Sequence, residues 1–252
     1  MITISPGHYK VGSGAKGLID EVTEARKVVA TVKEHLIKSG VACHVVVDNV
    51  SNSQKENLRY LIAKHNATKR QLDVSVHFNA ISGQTNRALG VEVLYFNDEL
   101  KPFAQKMSAA IANAGMLKNR GAKKRTDLAF LKGVHMPAIL IEVCFVNSTV
   151  DVSLYQKYYH EICHAIATVL KSYLSVSNQS QKPSNFSMPA LEERVNYYFR
   201  QKQLVENYLK KGIEAGIFQQ VWLTKYALNT LKLTDFCALM LLLYFETEKN
   251  TK

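Results

Sequence analysis

Short apolar runs alternate with amphipathic stretches along the first 175 residues of the chain. Runs at residues 2–5, 41–47, 72–77, 90–96, 128–131 and 138–143 have strand length and are rich in Val, Ile and Leu. Residues 138–141 are continuously apolar, which predicts a strand buried on both faces. Residues 90–96 alternate instead, with Val91, Val93 and Tyr95 on one side. Between these runs, residues 20–39, 52–65, 100–114 and 152–174 carry helical spacing, and Gly40 stops the first of them. Residues 6–17 read as a Gly-rich loop, 81–88 as a polar loop and 118–125 as a basic loop. This order predicts an α/β fold with a twisted, mainly parallel sheet flanked by helices.

The pattern changes after residue 175. Residues 176–189 are rich in Ser, Asn, Gln and Pro and read as a linker. Residues 190–252 return to helical spacing, with Val195, Tyr198 and Phe199 followed by Leu204, Tyr208 and Leu209. They predict a small all-helical C-terminal domain of three short helices. A unit of that size buries little apolar surface alone, so self-association into a homo-oligomer is expected of it.

Composition narrows the class. Of 252 residues, 47% are apolar, enough for a packed core. The net charge of +11 favours polyanionic partners. Without an Arg-aromatic stripe or a recognisable motif, nucleic acid is not the expected one. The four cysteines, Cys43, Cys144, Cys163 and Cys237, form no Cys-x-x-Cys pair and read as small buried hydrophobes made in a reducing compartment. The N-terminus starts directly on a strand pattern, so synthesis in the cytoplasm without a signal peptide is expected. The longest apolar run, residues 236–245, is too short for a transmembrane segment.

The candidate chemistry lies at strand ends. Glu142 closes the buried run 138–141, where a carboxylate is costly unless it meets a polar cleft or a cation. Two other strands are followed closely by His8 and His77. Ligands in open α/β sheets gather at the carboxyl ends of strands, so these residues suggest one metal site with a base. Ser75, His77 and Asn79 alternate and share one strand face. A catalytic zinc takes three protein ligands. Glu21 at the start of the first helix is the preferred third, with Glu24 one turn on as its competitor. His160 and His164, spaced i, i+4, read as packing residues, and Cys144 reads as structural. Phe218, Trp222 and Tyr226 read as core of the last domain rather than a sugar platform.

Together these fragments resemble the zinc-dependent N-acetylmuramoyl-L-alanine amidases of the amidase_3 type, especially phage endolysin catalytic domains. The resemblance covers residues 1–175. It rests on Ser-Pro-Gly-His at 5–8, Gly-Leu-Ile-Asp-Glu at 17–21, Ser-Val-His-Phe-Asn-Ala at 75–80, Asn-Arg-Gly-Ala-Lys at 119–123 and Met-Pro-Ala-Ile-Leu-Ile-Glu-Val-Cys-Phe-Val-Asn-Ser at 136–148. It implies Zn2+ held by His8, Glu21 and His77, with Glu142 as the catalytic glutamate, and it selects Glu21 over Glu24. It also implies hydrolysis of the amide between N-acetylmuramic acid and L-alanine in peptidoglycan, with Asn79, Arg120 and Asn147 as expected substrate contacts. Ser5 stands where the family usually has Asp, Tyr9 replaces a common Gly, and Val146-Asn147-Ser148 replaces a frequent Leu-Ser-Asn. None of these removes an expected ligand. A phage or prophage endolysin that reaches the cell wall after holin-mediated release is the expected setting, with the C-terminal helices targeting the wall or self-associating. A bacterial autolysin of the same chemistry, another zinc hydrolase, and a cell-wall-binding protein on the same fold are the competing readings.

Overall fold

In the computed structural model, residues 1–179 are described, together with residues 209–210 and 213–214. They belong to two units, Met1–Lys182 and Pro183–Lys252, and the fold below is that of the first. The expected helical domain at 190–252 falls almost wholly outside the described residues. Among the described residues, no helix is long and apolar enough to cross a membrane.

Six strands form one sheet: β1 (Ile2–Pro6), β2 (Cys43–Val45), β3 (Leu72–Asn79), β4 (Val91–Tyr95), β5 (Asn119–Lys124) and β6 (Ala138–Phe145). Their spatial order is β2-β1-β3-β6-β4-β5. Strands β2, β1, β3 and β6 are mutually parallel, and β4 with β5 runs the other way, meeting β6 antiparallel. The carboxyl ends of β1, β3 and β6 therefore lie along one edge of the sheet. The helices are α1 (Glu21–Lys38), α2 (Gln54–Asn66), α3 (Lys101–Gly115), α4 (Ala129–Gly133), α5 (Thr149–Lys157) and α6 (Tyr159–Gln179).

Residue alternation divides the sheet into two unlike faces. Ile2, Ile4, Val74, Val76, Phe78, Ile139 and Ile141 join the large core formed with α1, α3, α5 and α6. Their alternates on β6, Ala138 and Leu140, belong to a smaller cluster with Leu58, Ile62, Phe130 and Leu131 from the α2 and α4 side. The cross-strand register places Thr3 beside Asp73, Ser5 beside Ser75, and His77 beside Glu142, all on that second face. The sheet residues that face the large core are thus apolar, while the second face carries the polar groups in rows. Burying the apolar side chains supplies the main driving force, at about 1.5–3 kcal/mol for each fully buried Leu, Ile or Val.

At the base of the polar face a buried network compensates for its own charges. Asp73 accepts from Arg70 through both carboxylate oxygens and pairs with His65 Nδ1 at 2.8 Å. All three residues are buried. Paired charges of this kind tolerate burial, whereas removing one partner strands the other.

Five expected elements differ from the structure. Residues 118–125, expected as a loop, contain β5, because a charged run at a sheet edge can still pair and its charges discourage further strands from adding. Residues 128–131, expected as a strand, instead lead into helix α4, since a short apolar run fits either period. The strand expected at 41–47 pairs only over Cys43–Val45. The single helix expected at 152–174 is two, α5 and α6, broken at Tyr158. Helix α6 also continues through 176–179, the first residues of the expected linker.

Candidate metal centre and cleft

Three chain segments bring His8, Glu21 and His77 together beyond the ends of β1 and β3. The loop from Gly7 to Asp20 returns to the sheet edge and is tied off by the Asp20 side chain, which accepts from Thr23 N at 2.9 Å and Gly12 N at 3.0 Å. The first of these bonds caps helix α1 and sets Glu21 as its first residue. Glu21 is buried and accepts backbone hydrogen bonds from Ala15 at 2.6 Å and Phe78 at 3.1 Å. Its Oε2 lies 3.1 Å from His8 Nε2, and its Oε1 lies 2.9 Å from His77 Nδ1. The opposite ring nitrogen of His77 meets Ser75 Oγ at 3.1 Å.

Two glycines make room for this cluster. A Cβ on Gly7 would stand 2.1 Å from His77 Cε1, and a Cβ on Gly14 would stand 2.7 Å from Glu21 Oε2 and from His8 Cδ2. Their absence of side chains lets the loop backbone approach the imidazoles directly. Among the described residues, one group of His, Cys, Asp or Glu side chains converges as a metal site requires: these three, with donor atoms all within 4.8 Å of one another. Two imidazoles and a carboxylate form a nitrogen–oxygen donor set suited to zinc, whose bonds to such atoms are about 2.0–2.2 Å. The residues present therefore fit a catalytic zinc.

Glu24, the competing third ligand, is used elsewhere. Its Oε2 accepts from the Tyr155 hydroxyl at 2.9 Å, and its Oε1 pairs with Lys27 at 2.7 Å. His160 packs edge-on against Tyr159 and His164 against His35, so the i, i+4 histidines stay separate from the cluster. Cys43, Cys144 and Cys163 are free thiols. Burial raises the Cys144 thiol well above the ordinary range, with the Asp151 and Glu24 charges adding to it.

Glu142 stands beside His77 in the β3–β6 register and opposite Glu92 in the β4–β6 register. Immediately beyond, β6 advances three residues while β3 advances two, a bulge that re-aims the strand end next to the cluster. Glu142 Oε2 is buried and has no hydrogen-bond partner in the protein. Burial, with the charges of Glu21 and Glu92, pushes its carboxyl up to about 7 against the attraction of His77 and Arg125. Glu21 moves the other way: burial opposes its charge, but the hydrogen bonds from His77 and His8 prevail and hold it well below the usual carboxylate range. Burial alone would lower His77, yet its hydrogen bond to Glu21 and the nearby Glu142 charge raise it. One carboxylate is thus kept ionised beside the imidazoles, while its neighbour is set near neutral pH.

Of the three expected substrate contacts, Asn79 ends β3, Arg120 lies on β5 and Asn147 follows β6. Asn79 Nδ2 donates to Glu92 Oε1 at 3.0 Å. Arg120 Nε donates to Glu92 Oε2 at 2.6 Å, and its guanidinium lies 5.0 Å from the Phe145 ring centre. Lys123 completes this group at 2.7 Å from the same Glu92 oxygen. The Asn147 amide donates to Ile81 O and Gly83 O at 2.5 Å each, so it braces the 81–83 loop.

Sequence reasoning missed Glu92 and Asn57. Glu92 is a buried carboxylate alternating with Val91 and Val93, the kind of signal that singled out Glu142. Asn57 shares the buried stripe of α2 with Leu61 and His65 at four-residue spacing. A polar side chain on such a stripe was the available clue.

The site can be set beside known proteins. Residues 2–172 match the Amidase_3 family model, described as N-acetylmuramoyl-L-alanine amidase. A 38.4 kDa protein of Clostridium perfringens is 33% identical over 158 residues, covering 62% of this chain and 46% of its own. A Staphylococcus epidermidis protein described as "Probable cell wall amidase LytH" is 27% identical over 180 residues, covering 69% of this chain and 58% of its own. The chain thus spans about half the length of the curated relatives it matches. Among solved structures, the catalytic domain of the CD27L endolysin targeting Clostridium difficile superposes with a TM-score of 0.61 at 26% identity, over 68% of this chain and 96% of that one. An N-acetylmuramoyl-L-alanine amidase of Clostridium difficile 630 gives 0.60 at 25% identity, over 69% and 96%. With most of its length matched by the family model and the His–Glu–His cluster and Glu142 side by side at the strand ends, the chain belongs to the Amidase_3 family of N-acetylmuramoyl-L-alanine amidases.

Proposed function

We propose that this chain is a zinc-dependent hydrolase that cleaves the amide between the lactyl group of N-acetylmuramic acid and L-alanine of the peptidoglycan stem peptide. The observation that carries this reading is the convergence of His8, Glu21 and His77 beside a buried, unpartnered Glu142 Oε2. Zinc held by the first three residues supplies Lewis-acid polarisation of the scissile carbonyl and activation of water. In the metal-free protein the ionised Glu21 carboxylate holds both rings toward one point, and these contacts would give way to the metal on binding. Glu142 takes the proton of the attacking water on its carboxylate and delivers it to the leaving nitrogen. In the metal-free protein burial raises this carboxyl toward neutral pH, which favours return of the proton to the leaving nitrogen.

On the β5 side, Arg120 is anchored through Nε by Glu92 with 28% of its side chain exposed, and its guanidinium is the group suited to a stem-peptide carboxylate. Asn79 shares that anchor, and Asn147 shapes the cleft wall by fixing the 81–83 loop. The net charge of +11 favours approach to an anionic wall.

Likeness to an endolysin catalytic domain supports a phage or prophage lysin, released to the wall through holin pores. The likeness to the staphylococcal LytH protein supports an autolytic setting for the same chemistry. Digestion of purified sacculi, with products read by mass spectrometry, tests the reaction. Free stem peptides beginning at L-alanine, lost with chelator and restored by zinc, are expected. Intact muramoyl–alanine linkages after digestion would overturn the assignment, and acetate release would replace it with a deacetylase. Glu142→Gln is expected to abolish turnover while zinc binding persists.

A further inference from the structure

His8 has a backbone φ of 65°, in the left-handed region that side chains other than glycine rarely adopt. That conformation is strained and persists only where the surroundings impose it. Here the imposing groups come from three other segments of the chain. Asn57 Nδ2 donates to the His8 carbonyl at 3.0 Å and to Asp48 Oδ2 at 2.8 Å. Arg26 Nη2 donates to the next carbonyl, that of Tyr9, at 2.7 Å and also to Asp48 O at 3.0 Å. Asp48 is itself fixed, because its other oxygen accepts from Val50 N at 2.9 Å and Ser51 N at 3.1 Å. Asp48 and Asn57 are both buried. Two acceptors on one side of the Asn57 amide leave no choice about which way it faces.

We propose that Asn57 is a positioning residue for the metal centre. Its amide, oriented by the buried Asp48 carboxylate, clamps the His8 carbonyl and so holds the His8 imidazole toward Glu21. Helix α2 thereby controls a ligand that lies 49 positions away in sequence. The inference rests on the zinc reading of His8, Glu21 and His77 given above. Losing such support around a ligand commonly weakens metal affinity about 10–100-fold.

The test compares Asn57→Ala with Asn66→Ala in the full chain. Asn66 lies at the far end of the same helix and donates to Gly133 O at 2.9 Å, away from the cluster. Zinc affinity is measured by competition with a chromophoric chelator, and cobalt(II) substitution reports ligand geometry through its visible absorption. Thermal melting of the metal-free forms records the purely structural effect. Asn57→Ala is expected to weaken zinc binding at least tenfold and alter the cobalt spectrum, while Asn66→Ala changes neither. Should Asn57→Ala not fold, Asn57→Ser, too short to reach both acceptors, is read the same way. Wild-type zinc affinity and cobalt spectrum in the Asn57 variant, or equal losses in both variants, would overturn the positioning role and leave the metal reading intact. Failure of the unmodified chain to bind zinc would overturn the metal reading and this inference with it.

Discussion

Replacing Glu142 by Gln should make the metal-free protein more stable, with a pH dependence set by the native site. The folded-state carboxyl is raised from about 4.5 to about 7, chiefly by burial. Because the fold prefers the protonated form, the stabilising contribution of Glu142 is complete below pH 4.5 and is lost as pH rises through about 7. Above that pH the folded protein holds an ionised carboxylate with one oxygen buried and unpartnered, near the like charges of Glu21 and Glu92. Fully expressed, the displacement corresponds to about 3 kcal/mol. The new amide has hydrogen-bonding needs of its own, which reduce the net gain to about 2 kcal/mol at pH 8. At pH 5 the gain should fall below about 1 kcal/mol. For a domain of this size, 2 kcal/mol is a rise in Tm of about 4–8 °C. Circular dichroism melts in chelator at pH 5 and pH 8, supported by urea titrations, provide the assay. A Gln variant that melts at or below the parent at pH 8, or that gains equally at both pH values, would refute the account of Glu142 as a strained carboxylate.

Gly7→Ala should impair the site without unfolding the sheet, because the added methyl would meet the His77 ring at 2.1 Å. Activity on sacculi and zinc affinity should both fall more than tenfold, and unchanged values would show that His77 can move aside freely. Asp73→Ala should destabilise the domain by about 3–5 kcal/mol, since it strands buried Arg70 and His65; an unfolding free energy from urea titration within about 0.5 kcal/mol of the parent would contradict the network's role. Cys43 and Cys163, raised by burial to about 11 and about 12, and the still more deeply buried Cys144 should resist maleimide labelling at pH 7.5 until denaturant is added. Peptide mapping that finds any of the three modified rapidly in the native protein would count against that packing.

Much of the architecture was legible because its signals are local. The strand 138–143 and the alternation of Ser75, His77 and Asn79 follow from period alone, and both appear in β6 and β3. The same is true of the first helix, expected over 20–39 and stopped by Gly40, which appears as α1 with Asp20 as its cap. What escaped depends on contacts distant in sequence. Strand β5 is a charged run that pairs only because β4 presents an edge to it. The break between α5 and α6 at Tyr158 leaves no mark in the apolar spacing. At the site, the structure places Glu21 between the two imidazoles and turns Glu24 toward Tyr155, a difference that position along the helix hints at and that long-range contacts complete. The brace of Asn57, Asp48 and Arg26 was invisible, because its members come from three elements and none carries a motif.

The two-faced character of β1 and β3 has a consequence for how this chain can vary. Each strand carries its apolar packing on one set of alternate residues and its polar groups on the other. Deleting or inserting a single residue between Leu72 and Val76 would therefore exchange the two sets downstream, driving Ser75 and His77 into the hydrocarbon core while turning Val76 and Phe78 toward the cleft. Length changes in these strands must come in steps of two or be absorbed by a bulge, as β6 does just beyond Glu142. Natural and engineered diversity should accordingly collect in the loops, such as the one at 81–88, and leave the lengths of β1 and β3 untouched.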